Sequence, residues 1–416
     1  MIKLFQSIKN FLKSDGMNSS VPVVMYHSVG IHNKKWKSRY LNCPYPIFES
    51  HLKWMKRTGF KTISLKDLYL HMKENKKVPK NSVVLTFDDG YLDNWVFVYP
   101  LLKKYGFKGT IYVNPDFVDR RKIVRDNLES VWSGDVNLNK LQDSGYLSWE
   151  ELKIMDEEGY MDVQSHTMTH TWYPKSSKII DFRHPQDPYL WMTWNNFPEL
   201  KPYLWSDREE LIFYGQPVYE NDRSIAIKRY YEGPDLEKTL IDYVEEFGIE
   251  FFDQGEWKEK LFKISKEYKL ENPYQGYIES DEEYEKRIFF ELHESKRIIE
   301  KKLNKDVEFV CWPGGGVTDT ALRIASEVGY LSSTVGRDIL YERKFLKNKY
   351  GEDPTRINRM GITLYWNGMK ESNSIIKYKN GFFLILSFYV FRKDNLYQLP
   401  YLMLGGLSRL YKALYH

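Results

Sequence analysis

Short apolar runs recur along this 416-residue chain, and helix-length amphipathic stretches lie between them. Pro22–Tyr26, Lys61–Ser64, Val83–Phe87, Gly109–Val113, Met161–Gln164, Val307–Trp312 and Tyr330–Thr334 read as strands. Ser148–Glu151 (SWEE) and Ser280–Glu283 (SDEE) carry the Ser-x-x-Glu pattern in which hydroxyl and carboxylate satisfy each other's orphan backbone donors. The first opens a helix expected to stop before Gly159, and Thr318 is placed to cap another running to about Val328. Alternation of this kind predicts an α/β fold with parallel strands.

The alternation breaks between Thr171 and Glu279, where Pro and Trp cluster without a single period, and again after about Tyr365. The predicted organisation is an amphipathic N-terminal helix over 1–20, a discontinuous barrel over 21–171 and 280–366, an aromatic-rich insertion over 172–279, and a tail over 367–416. In the first of these, Met1, Leu4, Phe5, Ile8, Phe11 and Leu12 share one helical face among Lys3, Lys9 and Lys13. That face suits either a membrane surface or the protein's own domain.

The chemistry collects after the strands. His27 follows the first, Asp88 and Asp89 the third, His166 and His170 the fifth, and Pro313 with a glycine loop the sixth. In a parallel β/α barrel the carboxyl ends of the strands share one face, where active sites are built. His166 and His170 are four apart, a spacing that puts both rings on one side of a helical turn. With one carboxylate they form a set for a divalent cation: zinc first, with cobalt, nickel or iron as alternatives. Two adjacent acids then need not compete, because one holds the cation and the other moves a proton.

The motifs TFDDG (Thr86–Gly90) and SHTMTH (Ser165–His170), with YLSWEELKIMDEEG from Tyr146, resemble those of the polysaccharide deacetylases, carbohydrate esterase family 4. The resemblance covers roughly Val21–Thr171 and Ser280–Thr363. It implies a distorted (β/α) barrel of about seven parallel strands and hydrolysis of acetyl groups on a sugar. It also implies Asp89, His166 and His170 as metal ligands and Asp88 as catalytic base. VVMYHSVG resembles the poly-N-acetylglucosamine deacetylase branch, which makes His27 the general acid, with His184 as runner-up. Tyr91, Trp312, Pro313 and Gly314 become candidate substrate contacts, and backbone donors near Thr110 or Gly314–Gly316 candidate oxyanion partners. Two departures stand out. CWPGGG lacks the Arg that precedes the family's Pro, for which Arg359 is the candidate substitute, and no His lies between His293 and His416.

Composition narrows the partners. Lys plus Arg exceed Asp plus Glu by only 61 to 57, which provides no concentrated basic face for nucleic acid. Aromatics make up 16% of the chain, suited to sugar faces, although a composition bias explains them equally. Cys43 and Cys311 cannot form a disulfide framework. With no export signal or spanning helix legible, the expected location is cytoplasmic or peripheral to a membrane, with contact through the N-terminal helix and the tail. The expected activity is metal-dependent N-deacetylation of a polysaccharide, oligosaccharide or lipid-linked sugar. The alternatives are another amide hydrolase on the same barrel (a deformylase or ureide/imide hydrolase), a non-catalytic carbohydrate-binding relative, or a scaffold protein.

Overall fold

The computed structural model describes residues 20–31, 41–205, 208–272, 276–335, 347–361, 365–366, 370–371 and 381–392. The N-terminal segment expected to form an amphipathic helix and most of the tail lie outside the described residues.

A nine-stranded sheet organises the chain. Its strands are β1 (Val23–Tyr26), β2 (Lys61–Thr62), β3 (Ser82–Phe87), β4 (Gly109–Val113), β5 (Met161–Ser165), β6 (Phe309–Cys311), β7 (Ser332–Val335), β8 (Arg356–Asn358) and β9 (Met360–Gly361). The order is β8-β7-β6-β5-β4-β3-β1-β9, with β2 beside β3, and every pairing is parallel. Arg359 alone separates β8 from β9. These two are therefore one interrupted stave, paired with β7 on one side and β1 on the other. The stave closes the ring, and the path makes a distorted barrel of seven staves.

β3 shows why this sequence is a central strand. All six residues of SVVLTF are buried, as both faces of a parallel strand must be once helices cover the sheet. Its register on β1 sets Tyr26 beside Phe87, so His27 and Asp88 leave the barrel as neighbours. The helices Trp149–Glu157 and Asp281–Leu303 begin at Ser148 and Ser280, each with its reciprocal Ser–Glu cap. A third such cap, Ser64 with Asp67, opens the helix Leu65–Glu74.

The insertion has its own core. Trp172–Phe182 pairs antiparallel with Pro217–Arg223, and the helices Pro234–Phe247 and Trp257–Glu271 pack Leu236, Leu240, Val244 and Leu261 around Phe182 and Phe251. Within the tail, the helix Gly381–Arg392 lies on the barrel. Leu384, Ile385 and Phe388 enter the main core, with Phe388 5.0 Å from Phe60. Arg392 donates to the carbonyl of Lys80 at 2.6 Å. Among the described residues no helix is long and apolar enough to cross a membrane.

Candidate active site

The carboxyl ends of β1, β3, β5 and β6 bring His27, Asp88, Asp89, His166, His170 and Cys311 to one end of the barrel. Asp89 Oδ1 lies 3.1 Å from His166 Nε2 and 3.2 Å from His170 Nε2. The ring centroids of the two histidines are 4.9 Å apart. Asp89 and His166 are buried, and His170 is partly open.

His166 and His170 meet without a helix, contrary to the expectation from their spacing. Residues 166–170 form an irregular turn with left-handed backbone at Thr167 (φ 65°) and His170 (φ 41°), and Asp89 is also left-handed (φ 72°). None of the three is glycine, and each such conformation costs about 1–3 kcal/mol. The turn is held by Asn114, whose Nδ2 donates to the carbonyls of His166 and Thr167, and by Ser165 Oγ, which accepts from the Thr167 N–H at 3.2 Å. The left-handed residues, in place of a helical turn, aim both rings at Asp89.

Three observations test whether this set fits a divalent cation. His166 Nδ1 lies 2.9 Å from the Cys311 carbonyl, which can only accept, so Nδ1 carries a proton and Nε2 is the nitrogen left to face a cation. Asp89 Oδ1 is buried and has no hydrogen-bond partner of proper geometry although two ring nitrogens face it. Finally, three ligand atoms of the right chemistry converge within 4.8 Å. Lone pairs aimed at one another across about 3 Å are stabilised by positive charge between them. In the bare cluster a proton supplies that charge. Burial pushes Asp89 up, but the two imidazoles outweigh it and hold its carboxyl well below the usual range. The residues fit the cation. Asp88, His166 and Cys311 form a second convergent group, but both Asp88 oxygens and the Cys311 sulfur face a guanidinium instead.

That guanidinium belongs to Arg359, at the break in the closing stave. Nη1 donates to Asp88 Oδ1 at 2.6 Å, Nη2 to Oδ2 at 2.9 Å, and Nη2 also contacts Cys311 Sγ at 3.0 Å. Arg359 thus pairs with Asp88 from another strand, the contact expected of a substitute for the missing third-motif Arg. Burial raises the Asp88 carboxyl, but Arg359, His27 and His166 together pull it below its ordinary value. A carboxylate depressed in the folded state contributes stability that is present above its unfolded pKa and lost as pH falls through the folded one. In Arg359→Met the burial remains and the largest counter-charge does not, so Asp88 should titrate higher than in the wild type and its stabilising contribution should be lost at a higher pH. The acidic limb of the rate–pH profile should move to higher pH, and thermal melts should show a loss of about 3–5 kcal/mol, the cost of breaking a buried pair. An unmoved limb would remove Arg359 from its role.

His27 Nε2 is 3.7 Å from Asp88 Oδ2. Burial lowers the imidazole's pKa, the two carboxylates raise it, and the net shift is downward, so the resting ring is neutral. Its backbone is fixed by residues that the motifs do not flag. Asn94 Nδ2 donates to the His27 carbonyl at 3.1 Å, while the next residue, Ser28, donates to buried Asp93 and accepts from Asn42 Nδ2 at 2.7 Å.

Other expected contacts fall elsewhere. His184 packs on Trp257 at 5.2 Å inside the insertion, and its Nδ1 meets the Pro185 carbonyl, so it is no acid for this site. Thr110 is at the amino end of β4, in the wall of a cavity of about 580 Å³ at the opposite end of the barrel, because parallel strands place all their starts together. The Gly315 and Gly316 N–H groups are used within their own turn, on the carbonyls of Trp312 and Pro313. Trp312 and Pro313 are buried beneath the mouth, and Gly314 is roofed by Arg223 of the insertion, whose Nη1 donates to its carbonyl at 2.9 Å. Tyr91 is buried and stacks on Tyr146 at 5.4 Å. These two rings and Phe117 form a wall joined by Trp194 and Trp205 of the insertion, with Phe117 6.4 Å from the His170 ring.

Residues 75–184 match the family model described as polysaccharide deacetylase. A Bacillus subtilis (strain 168) protein named "Putative polysaccharide deacetylase YxkH" is 31% identical over 152 residues, 36% of this chain and 44% of that protein. A poly-beta-1,6-N-acetyl-D-glucosamine N-deacetylase of Staphylococcus aureus (strain MSSA476) is 32% identical over 122 residues, 29% of this chain and 35% of that protein. The alignments therefore span less than half the length of these relatives. Among solved structures, a de-N-acetylase from Aggregatibacter actinomycetemcomitans shares the fold, with a TM-score of 0.50 and 17% identity over 86% of this chain and 99% of that one. The segment that carries Asp88, Asp89, His166 and His170 is thus the part of this chain that is similar to the polysaccharide deacetylase family.

Proposed function

We propose that the chain removes N-acetyl groups from a saccharide containing N-acetylglucosamine, releasing acetate, with a divalent cation held by Asp89, His166 and His170. The observation that carries this reading is the division of labour between adjacent acids. Asp89 faces two imidazoles, whereas Asp88, one residue away, is turned to Arg359 and His27. Bound there, zinc or a related cation supplies a Lewis acid that makes water a better nucleophile near neutral pH.

The chain's own residues handle the protons. Asp88 stays ionised because Arg359 compensates its buried charge, so it can accept the proton of the attacking water. Its Oδ2 is the oxygen nearest His27 Nε2, which gives the proton a short route to the imidazole. The departing amine needs a proton on nitrogen, since an amide anion is too basic to leave, and His27 is placed to deliver it. The substrate class is supported by the family, by the named Staphylococcus aureus relative, and by the aromatic wall beside His170.

The test is acetate release from N-acetylglucosamine oligomers by the purified chain, with and without a chelator. Release that stops on chelation and returns on adding zinc or cobalt is the expected result. Release that ignores chelation, or none from any N-acetylated saccharide while N-formyl or cyclic amides are cleaved, overturns the reading.

A further inference from the structure

The five residues that carry both histidine ligands are gripped by two buried charges of opposite sign from different parts of the fold. Glu291, on the helix Asp281–Leu303, is 1% exposed. Its carboxylate accepts from the Met168 N–H at 3.0 Å, the Thr169 N–H at 2.9 Å and the Thr169 hydroxyl. Lys201, in the insertion, is 2% exposed. Its ammonium donates to the Thr169 carbonyl at 3.0 Å and to Asp116 Oδ2 at 2.9 Å, and it lies 5.4 Å from the centre of the Phe117 ring.

We propose that Lys201 and Glu291 are positioning residues for the metal centre, and that through Lys201 the docked insertion sets how tightly the cation is held. The argument starts from the strained backbone. Left-handed Thr167 and His170 persist only where their surroundings over-determine them. Asn114 and Ser165 hold the turn at its start, by His166 and Thr167. Its far half, leading into His170, hangs on the two faces of Thr169: N–H and hydroxyl toward Glu291, carbonyl toward Lys201. A lysine and a glutamate are rarely this buried unless every bond they make is needed.

Among the partners named for this turn, Lys201 alone comes from the insertion. Without it the Thr169 carbonyl loses its partner and the Glu291 side of the grip is unopposed. His170 is then free to rotate away from Asp89, the geometry on which cation affinity depends. The insertion is therefore part of the metal centre's outer support as well as a wall of the mouth.

This rests on the cation reading above, and the experiment separates the two. Cobalt(II) is titrated into the metal-free full chain, following the visible ligand-field bands and the dissociation constant by chelator competition, for the wild type, Lys201→Met and Glu291→Gln. Lys201→Met keeps the length and burial of the side chain and removes its donors. Both variants should bind cobalt about 10–100-fold more weakly, the usual effect of losing an outer support, with altered band positions. Wild-type affinity and bands in Lys201→Met, even with a lowered melting temperature, overturn the proposal, because a merely structural lysine would shift only the melt. If Lys201→Met does not fold, Glu291→Gln decides by the same criterion. A wild-type chain that binds no cobalt overturns the cation reading instead.

Discussion

Asp88→Asn should retain its metal and lose turnover by about 10²–10⁴-fold, the usual share of a positioned proton acceptor. The amide keeps the shape of the carboxylate but cannot take a proton. The three ligands lie on the other side of the adjacent residue, so elemental analysis should still find stoichiometric metal. Asp89→Ala, His166→Ala and His170→Ala should each lose it. The substitution also leaves the Arg359 guanidinium, 3% exposed, facing a neutral group. Melts must therefore accompany the assay, so that rates are compared where the variant is folded. Full activity in Asp88→Asn, or metal retained by all three ligand variants, would falsify the assignment of roles.

His27→Ala should likewise keep its metal and lose turnover by about 10²–10⁴-fold on an amide substrate. The discriminating measurement is a second substrate. An activated acetyl ester has a leaving group that needs little protonation, so the loss there should be much smaller. The structure sharpens this expectation, because His27 Nδ1 is buried without a partner among the described residues while Nε2 faces Asp88. A histidine that served only packing would be expected to satisfy both nitrogens. Equal losses on amide and ester, together with a lowered melting temperature, would assign His27 a packing role.

What was legible in the sequence follows the range of each interaction. The apolar runs that became β1, β3, β4, β5 and β6, and the caps at Ser148, Ser280 and Thr318, depend on near neighbours and can be read in the linear order. The clustering of His27, Asp88, Asp89, His166 and His170 was legible because a parallel fold delivers every strand end to one face. The His166–His170 spacing was misleading in one respect, since left-handed residues bring the rings together where a helical turn was expected. Thr110 was offered as an oxyanion neighbour although its strand was read with the observed bounds, which put it at the amino end, away from the site. Lys201, Glu291, Asn114 and Asp93 left no local trace. Each acts on a turn or loop that is distant in sequence or outside any motif, and a lone Lys or Glu in a polar stretch looks like surface. Arg359 was noticed only because an expected arginine was missing elsewhere.

The closing stave has a further consequence, in time. β8 and β9 are the last strands of the barrel to leave the ribosome, and between them they carry the counter-charge of a group that emerged some 270 residues earlier. Until residue 361 has joined β1, Asp88 has no guanidinium beside it and burial favours its protonated, inert form. A growing chain can therefore assemble most of its walls, and all three proposed ligands, before the proposed proton acceptor has its counter-charge. Sealing the barrel and charging Asp88 are then a single event, and on the proposed reading the site gains its base only when the ring closes.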